Sequence, residues 1–204
     1  MKLYKSLKSA LAEPEEVEAL KITLTEKGFP SEIFFFENLQ ELYLDGDCEN
    51  LPKIGSPWKN LKILSLKFPK FHGDLSGVFN LPALENLKIL ETPQKRILLP
   101  LGHVSSKIKF LTLKNCGLES LPEEFSILSD LTELNLSGNS LSTLPHSFVD
   151  LKKLKRLNLD SNQFEQFPNL IKNMPTLGHL SIDHNKFSEE EKFRIQREFF
   201  ITPA

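Results

Sequence analysis

Three side chains near the C-terminal end have types and spacing that invite a chemical reading. His179, Ser181 and Asp183 alternate along one stretch, which places all three on one face of a strand. A hydroxyl beside an imidazole and a carboxylate is the raw material of acyl transfer. That chemistry also needs an oxyanion hole and a site closed to water, and no segment here supplies either. Asp160 and Asp183 lie 23 residues apart, with Arg156 and His179 nearby. Two stacked carboxylates could hold a cation or a basic partner, but solvated surface carboxylates are far commoner. The two cysteines, Cys48 and Cys116, form no C-x-x-C and no paired His/Cys spacing, so zinc has no support. They read as buried free thiols. None of the nine glycines builds a phosphate loop. The expectation is a protein with no metal, no cofactor and no catalytic residues.

What positions these groups is a repeat. Leu131, Leu134, Leu136, Asn139 and Leu141 follow the pattern L-x-x-L-x-L-x-x-N-x-L. Adding 23 gives Leu154, Leu157, Leu159, Asn162 and Phe164, and adding 23 again gives Leu177, Leu180, Ile182, Asn185 and Phe187. Subtracting 23 gives Ile108, Leu111, Leu113, Cys116 and Leu118. Earlier coils start at Leu84, Leu61, Leu39 and Val17, which makes eight in all. The second half of the unit recurs in Leu121-Pro122, Leu144-Pro145 and Phe167-Pro168, with Phe125 and Phe148 three residues after their prolines.

The alternating leucines at the fourth and sixth positions predict a short strand with one buried face. Stacked coils would pair these strands into a parallel sheet on the concave side. The asparagine at position nine turns inward, where its amide satisfies backbone groups that water cannot reach. Each Leu-Pro pair predicts a short helical or 3-10 segment on the convex side, with proline in its first turn. One coil cannot bury its own faces, so stability comes mostly from stacking on neighbours. Position nine is Thr25, Asp47, Pro69 and Thr92 in the first four coils, which are therefore expected to be less uniform.

The ends need covers. Leu3, Leu7, Ala10 and Leu11 have the spacing of one helix face, closed by Pro14. Ser188 with Glu191 forms a capping-box pattern, and Phe193, Ile195, Phe199 and Phe200 supply an apolar helix behind it. The expected division is a helical cap over 1–16, eight repeats over 17–187 and a second helical cap over 188–204. That leaves no room for a separate catalytic domain.

These residues resemble the leucine-rich-repeat family in its 23-residue class, as in Ras-suppressor-type and small bacterial proteins. The ends are similar to a spirochaete-type group: Tyr4, Leu7, Ala10-Leu11, Pro14 and Val17 at the start, and Asn185-Lys186-Phe187-Ser188 with Glu191 and Arg194-Ile195 at the close. The resemblance covers the whole chain. It implies an α/β horseshoe solenoid and a protein-interaction role, and it brings no catalytic residue and no particular ligand.

Composition is consistent with that reading. The 204 residues carry a net charge of -2, which gives no reason to expect nucleic acid as a partner. No apolar run has the roughly 18 residues of a membrane span. Lys5 and Lys8 interrupt the N-terminal segment, so no leader is read there; the chain alone points to the cytoplasm, and a removed leader would point to export.

The exposed strand positions then form three columns on the concave face. The third position runs Ala19, Glu41, Ile63, Asn86, Phe110, Glu133, Arg156 and His179. The fifth runs Lys21, Tyr43, Ser65, Lys88, Thr112, Asn135, Asn158 and Ser181, and the seventh Thr23, Asp45, Lys67, Leu90, Lys114, Ser137, Asp160 and Asp183. Tyr43, Ile63, Leu90 and Phe110 become exposed apolar groups beside Lys67, Lys88 and Lys114. Aromatic anchors flanked by charges suit a protein interface, although scattered surface apolar residues are also ordinary. Arg156, Asp160, His179 and Asp183 extend the candidate face. The expected function is binding of a protein partner by a monomer through this face; the alternative is an adaptor that binds through its convex side or ends, including self-association.

Overall fold

Every coil start from Val17 to Leu177 is followed two residues later by a strand. The computed structural model describes residues 1–25, 28–52, 58–99, 107–199, 201 and 203. Its strands are Leu3–Tyr4 (β1), Ala19–Leu24 (β2), Glu41–Gly46 (β3), Ile63–Lys67 (β4), Asn86–Leu90 (β5), Phe110–Lys114 (β6), Glu133–Asn135 (β7), Arg156–Asn158 (β8) and His179–Ser181 (β9). Among the described residues they form one nine-stranded sheet in sequence order, and each strand pairs in parallel with the next. A parallel sheet built only from neighbours is the product of a solenoid, because each coil returns the chain one strand further along. No described helix is long and apolar enough to cross a membrane.

The ninth strand is a departure from the sequence expectation. Leu3 and Tyr4 are not helical but pair with Ala19 and Leu20. The helix is confined to Leu7–Leu11 (α1), with the Ser6 side chain capping the Ser9 N–H, and Pro14 opens a 3-10 turn over Pro14–Glu16. The physical reason is the bare edge of β2, whose backbone groups need partners that a helix face cannot supply. Tyr4 and Ala10 are buried, whereas Leu3 and Leu11 are not.

The core lies between the sheet and the convex turns. The fourth- and sixth-position leucines are buried from Leu42 to Leu159. Phe125 and Phe148 are fully buried and stack with ring centres 5.5 Å apart. Their 3-10 segments, Glu123–Ile127 and His146–Asp150, begin one residue after the prolines, so Pro122 and Pro145 cap the turn from extended backbone rather than sit inside it. The Glu123 carboxylate accepts the N–H groups of His146 and Ser147 one coil later. Those bonds, led by that from Ser147, hold its pKa below the ordinary carboxylate value.

Position eight sets the turn out of the strand in coils four to eight. Glu91, Asn115, Ser161 and His184 all have positive φ, between 47° and 56°, and Gly138 takes the same place with φ 71°. This left-handed residue swings position nine inward. In the C-terminal coils that residue is the expected asparagine. The Asn162 amide donates to Leu136 O and Leu159 O, both at 3.0 Å, and its oxygen accepts the Leu141 N–H at 3.0 Å. Asn185 makes the equivalent bonds to Leu159 O, Ile182 O and Phe164 N.

The early coils solve the same problem differently. The Thr92 hydroxyl accepts the Phe68 N–H at 2.9 Å and donates to Leu90 O at 2.9 Å, so a threonine does part of the asparagine's work. In coil two the pairing of β3 runs on through Gly46, and the buried residue is Cys48 rather than Asp47. Asp47 stays at the surface and pairs with Lys70. In coil three the interior is filled by Phe68 stacked on Phe71, and Pro69, which has no N–H to satisfy, faces out. Both cysteines are free and buried.

At the C-terminal end Glu189–Phe199 forms a helix (α2). Half of the expected capping box is present: the Ser188 Oγ accepts the Glu191 N–H at 3.1 Å. The Glu191 carboxylate does not turn back to Ser188; it accepts the Phe167 N–H and pairs with Arg194. Ile195 is fully buried and Phe199 stacks on Phe167 with centres 4.0 Å apart, but Phe193 points to solvent. Phe200 lies outside the described residues.

Candidate protein-binding face

The strand register places the concave columns as the repeat arithmetic expects. Glu41, Ile63, Asn86, Phe110, Glu133, Arg156 and His179 are successive partners across β3 to β9. Tyr43, Ser65, Lys88, Thr112, Asn135, Asn158 and Ser181 form the second column beside them. Lys67, Leu90 and Lys114 are neighbours in the third. Two members are hidden: Ala19 lies under the added strand, and Ser137 is buried with its N–H bonded to Asn135 Oδ1.

The candidate residues separate into two groups. Lys88, Phe110, Arg156 and His179 line one depression of about 340 Å³ that crosses β5 to β9, together with Asn86 and Glu133. Tyr43, Ile63, Lys67 and Leu90 sit half-buried toward the N-terminal side of it, and exposed Lys114 lies outside it. Asp160 and Asp183, also half-buried, follow the ends of β8 and β9. Phe110 is 40% exposed, the largest exposure of an apolar side chain on this face among strands β2 to β9. Asn86, Glu133, Asn135 and Asn158 line the depression without having been singled out in the sequence. The signal for them was their place in the same columns.

Charges on the face are unevenly matched. Lys67 pairs with Glu91 at 2.9 Å, and Arg156 approaches Glu133 at 3.7 Å. Lys88 and Lys114 form no ion pair among the described residues. The Tyr43 hydroxyl donates to Glu41 at 2.9 Å, and burial, helped by that carboxylate, raises its pKa. The Asn86 Oδ1 and the Asp45 Oδ1 are buried without a hydrogen-bond partner.

The catalytic possibility raised by His179, Ser181 and Asp183 meets a different geometry. The Ser181 hydroxyl donates to Asp160 Oδ1 at 2.6 Å, and the same oxygen accepts the Asp183 N–H at 2.8 Å. Its proton is therefore directed to a carboxylate on the neighbouring coil and not to His179. Asp160 acts as a bracket between coils seven and eight. Among the described residues no group of three or more His, Cys, Asp and Glu side chains is placed to hold a metal.

Comparison with known proteins agrees with this architecture. Residues 98–195 match the family described as a leucine-rich repeat region. The fold is that of a leucine-rich-repeat protein. No curated protein matches the chain by sequence. Among solved structures, InlP of Listeria monocytogenes shares 24% identity with a TM-score of 0.68, over 83% of this chain and 49% of its own. This chain thus spans about half the length of that protein. A structure described as a TDR receptor shares 20% identity with a TM-score of 0.63, over 91% of this chain and 33% of its own. A leucine-rich-repeat protein of Leptospira interrogans covers 97% of this chain and 68% of its own at 22% identity, but its TM-score of 0.44 adds nothing to the argument. The leucine-rich-repeat fold supports a protein-interaction role in general terms.

Proposed function

We propose that this leucine-rich-repeat chain binds a protein partner on its concave sheet, centred on the depression between β5 and β9. The observation that carries the reading is Phe110, a phenyl ring left 40% exposed within a groove that draws side chains from five consecutive strands. Exposed aromatic rings in a concave, mixed polar setting are typical binding anchors. Lys88, Arg156 and His179 line the same groove. Tyr43, Ile63, Lys67 and Leu90 extend the contact toward the N-terminal coils, and Lys114, Asp160 and Asp183 lie along one side of it. Among the described residues, the other exposed large apolar side chains are Met1, Leu3 and Leu11 at the N-terminal end, and Phe35, Leu98, Ile127 and Phe193 in separate turns and the C-terminal helix.

A photo-crosslinking residue at position 110, and another at the convex position Lys152, tests the reading in the source cell. A partner trapped from 110 and absent from 152 is expected. A partner trapped only from 152 moves the interface to the convex side and establishes the adaptor reading instead.

A further inference from the structure

We propose that the occupant of the concave face is an acidic, extended protein segment that seats carboxylates on Lys88 and Lys114 and an apolar side chain on Phe110. This rests on the concave reading above. Two cations of the face already have counter-charges: Lys67 has Glu91 and Arg156 has Glu133. Lys88 and Lys114 do not, and they stand on adjacent strands two positions apart, because Lys88 is the partner of Thr112 and Leu90 that of Lys114. That diagonal separates their Cα atoms by about 8 Å, within reach of one carboxylate or two alternate ones. Two unpaired cations so close repel each other, and an anion between them turns repulsion into attraction.

Phe110 lies on the same strand as Lys114 and on the groove wall with Lys88. Phe110 stands about 8 Å from Lys88 across the strands and about 13 Å from Lys114 along its own strand, so the contact asks for an acidic group and an apolar group a few residues apart on one extended segment. A simple anion answers the lysines alone, whereas an extended peptide brings carboxylates for Lys88 and Lys114 together with an apolar side chain for Phe110. The ligand also acquires a direction. Asp160 and Asp183 make the side after β8 and β9 acidic, so the acidic end of the segment lies over β5 and β6.

The test is a selection of displayed random peptides of about ten residues, long enough to cross five strands at ~4.8 Å each, on the intact protein at low salt. Enrichment of sequences with Asp or Glu beside a large apolar residue is expected. The winning peptide, labelled and titrated by anisotropy, should lose at least about tenfold in affinity on Phe110→Ala and on Lys88→Glu with Lys114→Glu. It should weaken with added salt and ignore Lys152→Glu. Winners that need Phe110 but carry no acidic bias and tolerate the lysine reversals overturn this proposal and leave the concave reading standing. Winners that ignore Phe110→Ala and fail on Lys152→Glu overturn both, and a library that yields no concave binder overturns the acidic-segment proposal.

Discussion

The side-chain oxygen of Asn139 accepts the backbone N–H of Cys116, one coil before it, at 3.0 Å. The same oxygen takes the Leu118 N–H at 3.1 Å, while the amide nitrogen donates to Leu113 O at 2.7 Å and Leu136 O at 2.8 Å. One side chain thus satisfies buried backbone groups of two coils and holds them in register. Cys116 occupies the same column and turns its thiol to Ile89 O and Lys114 O. Burial pushes that thiol up to about 11, so it is a protonated, weak donor at neutral pH, a partial substitute for an amide.

Loss of a ladder amide should be costly. Asn162→Ala and Asn139→Ala each leave buried carbonyl and N–H groups without partners and should lower stability by about 1–3 kcal/mol in urea melts. Asn158→Ala removes one half-exposed bond, from the Asp160 N–H to its Oδ1, and should cost about 0.5–1 kcal/mol. Equal losses would mean that the two columns have the same structural role.

Ser161 holds a φ of 54°, a conformation that costs a residue with a Cβ roughly 1 kcal/mol. Ser161→Gly should therefore raise stability, by about 0.5 kcal/mol once the added freedom of the unfolded chain is counted. A lower urea midpoint for the variant contradicts the left-handed turn at position eight.

The C-terminal cap should loosen in acid. Pairing with Arg194, helped by the Phe167 N–H and opposed by burial, lowers the pKa of Glu191 below its ordinary 4.5. A lowered carboxylate stabilises the fold fully above its ordinary pKa, and that contribution is lost as pH falls through the lowered value. Glu191→Gln should cost about 1.5–3 kcal/mol at neutral pH. The difference from the parent should shrink below pH 4.5. A constant difference in thermal melts across that range would remove Glu191 from the account of the cap.

Phe110→Ala should leave the melt nearly unchanged, because the ring is 40% exposed and supports little of the core. The same change should weaken a concave partner by about 2 kcal/mol or more. For comparison on the convex side, Lys152 and Glu124 are better probes than Glu123, whose carboxylate caps the next coil. A variant that melts far below the parent would place Phe110 in the core.

Much of this protein was legible in its residues because a repeat carries its own register. A side-chain period of two inside a coil, and a coil period near 23, determine which residues share a face and which follow one another across the sheet. The columns from Glu41 to His179, the asparagine ladder and the buried cysteines could all be read that way. Tertiary structure decided what depends on partners distant in sequence. Leu3 and Tyr4 became a strand because β2 had a bare edge. Cys48 and Phe68 took the inward place from Asp47 and Pro69, because local pairing and the lack of a proline N–H shifted the turn. The Ser181 proton went to Asp160 instead of His179 because the neighbouring coil brought a carboxylate closer. Lys67 was neutralised by Glu91 while Lys88 and Lys114 were not, since side-chain reach across coils, and not spacing along the chain, determines which charges meet.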